Sequence, residues 1–129
     1  MEIGTLIRRD LVTVGPTHTL AEAAERMTSR NVGCAVVATG ESPGIISERD
    51  ILRAVAQGAD LTEATVGDHM TWKAVVATTS WDVETSARTM IEGGFRHLVV
   101  VEDGREVGVL SIRDLVLALL ERSGAGTGT

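Results

Sequence analysis

Hydrophobic and polar positions follow the same order twice along this chain. Val12-Thr13-Val14 is a short alternating run of β type. Leu20, Ala23, Ala24 and Met27 then recur at i, i+3, i+4 and i+7, which predicts a helix with one apolar face. Thr19 is placed to cap that helix, with Glu22 closing a capping box. Cys34–Ala38 and Gly44–Ser47 predict a strand pair around a loop holding Gly40, Ser42 and Pro43. A second helix follows, with Ile51, Leu52, Val55 and Ala56 as its stripe and Gly58 as its stop. The order then restarts at Ala74-Val75-Val76-Ala77. Asp82 caps the next helix, Val83, Ala87, Met90 and Ile91 make its apolar face, and Gly93-Gly94 ends it. Leu98–Val101 and Glu106–Ser111 flank Asp103-Gly104, a hairpin signal. Leu115–Leu120 is apolar nearly all round, which predicts a last helix buried on more than one side. Ala59–Asp68 reads as a polar connector, and the small polar tail Ser123–Thr129 as disordered.

The repetition is visible in the residues themselves. Shifted by 63, Gly4 meets Gly67, Val12 meets Val75, Ala24 meets Ala87, Met27 meets Met90, and Val36-Val37 meets Val99-Val100. After a one-residue gap the shift is 64, and Gly44, Ser47, Arg49-Asp50 and Ala54 meet Gly108, Ser111, Arg113-Asp114 and Ala118. The fold expected is α/β, two β-α-β-β-α repeats over residues 7–62 and 70–125. Units of this size are marginal alone. Two of them are expected to pack as one module with pseudo-two-fold symmetry.

Composition narrows the function. The chain has 129 residues, and its aromatics are Trp72, Trp81 and Phe95, so the core must be aliphatic. Twelve Lys and Arg against eighteen Asp and Glu give a net charge of −6, shared equally by the two halves. No basic tail or patch shows in the linear sequence, and a mildly acidic chain with three aromatics is a poor candidate for nucleic acid, which needs a cationic groove and stacking platforms. The longest uncharged stretch, Leu11–Ala21, is too short to cross a bilayer. The start of the chain, with Arg8, Arg9 and Asp10, lacks a signal-peptide apolar run. Cys34 is the one cysteine, so no internal disulfide forms, and a cytoplasmic setting is expected. Its apolar neighbours make it an inert buried thiol. His18, His69 and His97 share no metal-ligand spacing, and no catalytic motif is present, so neither a metal nor an enzyme is expected.

Two tandem units, each carrying Gly-h-h-Ser-x-Arg-Asp (h is apolar) from a strand into a helix, resemble the cystathionine-β-synthase (CBS) domain pair, or Bateman module. Val66-Gly67-Asp68-His69-Met70-Thr71 resembles the lead-in that often precedes such a repeat. The resemblance covers about residues 3–122. It implies a stand-alone regulatory module that binds AMP, ADP, ATP, S-adenosylmethionine or an NAD-type compound as effector in the cleft between the repeats. It also implies a homodimer that signals to an unidentified partner protein, with no required cofactor. The alternative is a structural dimerisation module with empty clefts.

The motif has its own chemistry. A carboxylate can accept from both hydroxyls of a ribose, and charge-assisted bonds are the strong kind. This points to Asp50 and Asp114, with Ser47 and Ser111 at the helix starts, where open N–H groups suit a phosphate. Gly44 and Gly108 would let a ring approach the backbone. Ser-x-x-Asp is equally a plain N-cap, and the two roles can coexist. The resemblance assigns the adenine to Val12, Thr13, Val14, Cys34 and Ala35 in repeat one. In repeat two it assigns Val75, Val76, Ala77 and Leu98. Lys73, Arg96, His97 and Arg113 are the candidate phosphate cations of repeat two, and Arg49, with Arg8 and Arg9, those of repeat one. Ile112 stands where repeat one has Glu48, and Arg96-His97 where it has Gly33-Cys34, so the second site is expected to be the stronger for an anion.

Overall fold

The computed structural model of the chain describes residues 1–126. It divides into two compact units, Leu11–Ala74, and Met1–Asp10 with Val75–Thr129. Each repeat is a three-stranded sheet with two helices. The first runs β1 (Thr13–Val14), α1 (Leu20–Arg30), β2 (Cys34–Val37), β3 (Gly44–Ser47) and α2 (Glu48–Ala56). β1 lies parallel to β2, with Thr13 opposite Val36, and β3 runs antiparallel on the other side, with Ser47 opposite Cys34. The second runs β4 (Val76–Thr78), α3 (Val83–Gly93), β5 (His97–Glu102), β6 (Arg105–Ser111) and α4 (Ile112–Gly126) in the same pairing. Among the described residues no helix is long and apolar enough to cross a membrane.

Local chemistry sets these boundaries. Thr19 and Glu22 form the expected capping box on α1, and Asp82 accepts from the Thr85 N–H to cap α3. Gly94, with φ at 72°, ends α3 in the left-handed conformation. Asp103 and Gly104 both have positive φ, 52° and 76°, as a two-residue hairpin loop of this kind requires. Val14, Leu20, Ala23, Met27, Val37 and Ile46 build one aliphatic core, and Ala77, Met90, Leu98, Val100, Leu110 and Leu115 the other.

Several expectations need correction. α2 buries Ala54 and half-buries Ile51, while Leu52 and Val55 face out. Both pairs are spaced i, i+3, so periodicity alone cannot choose between the two faces. Ile91 is 73% exposed, because Val83, Ser86 and Met90 carry the buried face of α3. α4 is covered along Leu115 and Ala118, while Val116, Leu117, Leu119 and Leu120 are 46–62% exposed. β4 begins later than expected, and the Ala74 N–H donates instead to Pro43 O. The connector is more than polar: Val66 is fully buried, and Leu61 and Ala64 pack on the first core. The tail was expected to be disordered over Ser123–Thr129, but α4 continues through Gly126; residues 127–129 lie outside the described residues.

Each repeat is completed by the segment that leads into the other one. In the first unit the Val66 N–H donates to His18 O, the Gly67 N–H to Pro16 O, and the Leu20 N–H to Ala64 O, at 2.8–2.9 Å. In the second unit the Ile3 N–H donates to Trp81 O at 2.8 Å, the Gly4 N–H to Thr79 O at 3.0 Å, and the Val83 N–H to Met1 O at 3.1 Å. These six bonds join matching residues. Thr71 and Ile45 exchange both backbone bonds, as Arg8 and Val109 do. Residues 7–10 thus lie with repeat two and residues 70–74 with repeat one.

The motif glycines make this exchange possible. A Cβ on Gly44 would run into Met70 Cε and lie 2.9 Å from Thr71 O. One on Gly108 would lie 2.7 Å from both Arg8 O and Ile7 Cδ1. The Cβ side of both glycines is filled by the chain itself.

Candidate functional site

Ser47 and Ser111 stand at the starts of α2 and α4, each facing its aspartate. Asp50 Oδ2 accepts from the Ser47 N–H at 2.8 Å and the Ser47 hydroxyl at 3.1 Å, and the Asp50 N–H donates to Ser47 Oγ at 3.3 Å. The Ser111 N–H donates to Asp114 Oδ2 at 3.1 Å, and the Asp114 N–H to Ser111 Oγ, also at 3.1 Å. Both motifs therefore act as helix caps. Asp50 Oδ1 faces Arg53 Nη1 at 3.9 Å. A carboxylate has about four acceptor positions, so capping through Oδ2 is compatible with a diol on Oδ1.

The helix starts are less open than the sequence suggests. The Glu48 N–H donates to Gly33 O at 2.9 Å and the Ile112 N–H to Arg96 O at 2.8 Å. With the aspartate amides held by serine oxygens, several first-turn donors are already taken. A phosphate at these ends would meet side chains more than a row of bare N–H groups.

The adenine candidates divide by burial. Val12, Val14, Cys34, Ala35, Ala77 and Leu98 are buried. Thr13, Val75 and Val76 are exposed. Strand alternation turns Val12 and Val14 inward and Thr13 outward.

The cation sets also change. Arg49, Lys73, Arg96 and Arg113 are exposed and His97 is half-buried. Lys73 belongs to the unit of the first repeat, whereas Arg8 and Arg9 belong to that of the second. Exchange of the lead-ins reverses their expected assignment. Trp72 Nε1 donates to Gly67 O at 3.0 Å, and Arg9 Nη2 to Gly4 O at the matching place, at 3.3 Å. Trp81 packs on the second core. Among the described residues no three His, Cys, Asp or Glu side chains gather as a metal site.

One polar arrangement has no signal in the sequence. Arg26 Nη1 donates to Thr13 O at 3.1 Å and so covers the outer edge of β1. In the sequence Arg26 is simply a polar position on α1.

The CBS domain family matches residues 3–57 and 66–121, and the two matches begin at the two buried lead-in residues, Ile3 and Val66. The chain belongs to the CBS-domain family. This CBS-domain protein is 30% identical over 120 residues to an uncharacterized protein of Methanopyrus kandleri, covering 90% of its own length and 61% of that relative's. It is 32% identical over 119 residues to the CBS domain-containing protein YhcV of Bacillus subtilis, covering 91% and 84%. Among solved structures, the CBS domain protein PAE2072 from Pyrobaculum aerophilum, complexed with AMP, matches with a TM-score of 0.80 and 33% identity over 94% of this chain and 99% of that one.

Proposed function

We propose that this CBS-domain protein is a regulatory module that binds an adenosyl ligand, with Asp50 and Asp114 receiving the ribose hydroxyls. The observation that carries the reading is the duplicated Ser-x-x-Asp. In both repeats a helix start orients the aspartate through one oxygen. The AMP-bound Pyrobaculum protein, similar over nearly the whole chain, supports adenine nucleotide as the ligand class. Thr13, Val75 and Val76 are the exposed candidates beside the base, and Arg49, Lys73, Arg96, His97 and Arg113 are the candidates for the phosphate. The module acts in the cytoplasm on a partner protein and carries out no reaction of its own. A thermal-shift panel of AMP, ADP, ATP, S-adenosylmethionine and NAD tests this. A ligand selective for the folded state raises the melting temperature. No rise with any member of the panel contradicts the reading.

We also propose that the protein is a homodimer. Val116, Leu117, Leu119 and Leu120 form an exposed apolar run on α4. Runs of this kind mark interfaces, and a closed two-fold pair is the commonest way to cover them. Light scattering should give a dimer mass, and Leu117→Lys with Leu120→Lys a monomer. A monomer mass for the unmodified protein across the micromolar range contradicts it.

A further inference from the structure

A groove of about 410 Å³ lies in the first repeat between β1 and the last turns of α1, lined by Leu11, Val12, Thr13, Arg26, Ser29 and Arg30. Arg26 and Arg30 are one turn apart on α1, so both guanidinium groups belong to one helix face. We propose that this groove is an anion site for a phosphate-bearing small molecule, separate from the Ser-x-x-Asp motifs. Arg26 and Arg30 supply the cations, and the exposed Thr13 hydroxyl and the ring N–H of His18 supply neutral donors.

The donor geometry around Arg26 carries the argument. The Gly15 N–H donates to His18 Nδ1 at 2.7 Å. A backbone amide can only donate, so Nδ1 is the acceptor and the proton of the neutral ring sits on Nε2. That N–H faces Arg26 Nη2 at 3.4 Å, so two donors point at each other across the gap. A water oxygen could accept from both, and an oxyanion could do so with the charge of Arg26 in its favour. Arg26 is preset for it, since Nη1 is anchored on Thr13 O at 3.1 Å. The carboxylate of Glu22, one turn before Arg26, lies within electrostatic reach of Arg26 and His18, but its hydrogen bonds go to the Thr19 N–H at 3.0 Å and the Thr19 hydroxyl at 3.1 Å. A planar guanidinium suits a phosphate because it can offer two parallel N–H bonds.

The second repeat does not duplicate this feature. Thr89, Glu92 and Gly93 stand at the positions matching Arg26, Ser29 and Arg30, Val76 at that of Thr13 and Trp81 at that of His18. The cationic groove is thus specific to the first repeat and does not come with the duplicated motif.

Inorganic phosphate, titrated into the full chain at low salt and followed by amide and histidine-ring nitrogen resonances, tests the proposal. Saturable shifts are expected at Leu11–Thr13, Arg26–Arg30 and His18 Nε2. Arg26→Gln with Arg30→Gln should weaken phosphate about ten-fold or more. Arg30→Gln alone, at an exposed position that leaves the Arg26 contacts in place, should weaken it about three-fold. Shifts in the groove are read apart from any at Ser47–Asp50 and Ser111–Asp114, so failure of the adenosyl reading would show separately. Absence of saturable shifts in the groove, or an unaltered midpoint in the folded Arg30→Gln and double variants, overturns the proposal.

Discussion

In both repeats the second helix starts by donating to the loop before the central strand, from Glu48 to Gly33 and from Ile112 to Arg96. In both, a serine and an aspartate three residues apart cap that helix. The side chains on these matching backbones differ. Gly33-Cys34 becomes Arg96-His97, Glu48 becomes Ile112, and Arg26 and Arg30 become Thr89 and Gly93. What the two copies share is what sets the geometry: two glycines that admit a crossing strand, a capping box, and a lead-in with a buried aliphatic residue. Their differences lie largely in charge. The two halves are equivalent as folds and distinct as surfaces.

The largest effect is expected from the exchanged lead-ins. Ile3 is fully buried in the unit of the second repeat, far from it in sequence. Ile3→Ala should cost about 2–5 kcal/mol of that unit's stability. Val66→Ala should act in the same way on the first repeat, with a smaller loss because fewer carbons are removed. Hydrogen exchange locates each effect: Ile3→Ala should speed exchange at Leu98–Leu110 before Ala35–Ile46, and Val66→Ala the reverse. Equal acceleration in both sheets would break the comparison.

Charge comes next. Arg96→Ala should weaken AMP binding more than Arg49→Ala, by about 1 kcal/mol, and salt should shrink the gap. Calorimetry at two ionic strengths measures it. Equal losses, or a larger loss from Arg49→Ala, would show that Glu48 and Ile112 do not set the difference.

The smallest effect concerns the caps of the first helix in each repeat. The Thr19 N–H and hydroxyl hold Glu22 below the ordinary glutamate range, and the Thr85 N–H does the same for Asp82. Each carboxylate therefore adds stability that is complete above its unfolded-state pKa and lost as pH falls through the lower folded value. Unfolding midpoints should decline gently below about pH 5, and Asp82→Asn should flatten part of that decline. An unchanged slope in the variant removes Asp82 from the account.

Much of the fold was legible in the sequence, because it rests on local rules. Thr19 with Glu22, Asp82, Gly94 and Asp103-Gly104 each do what their type and spacing predict. The lead-in exchange was not, although Gly4 and Gly67 mark it, because a repeat in sequence does not say which copy a connecting segment packs on. The faces of α2 and α4 were misread for a related reason. A helix rich in Leu and Val has more than one acceptable apolar face, and burial depends on what lies opposite. In the candidate site the Ser-x-x-Asp pairing was legible. The N–H groups taken by Gly33 O and Arg96 O were not, since those contacts join distant residues. The clamp of Arg26 on Thr13 O had no sequence signal, because an arginine on a polar helix position is ordinarily solvated.

The central claim is that the duplicated aspartates receive the ribose of an adenosyl ligand. Calorimetric titration of AMP into the wild type, Asp50→Ala, Asp114→Ala and the double variant tests it most directly, with each variant's unfolding measured alongside to separate loss of the cap. At least one single variant should lose about 1.5–3 kcal/mol of binding free energy for each charge-assisted bond removed, and the double variant should not bind detectably. AMP affinity unchanged in a folded double variant would contradict the claim.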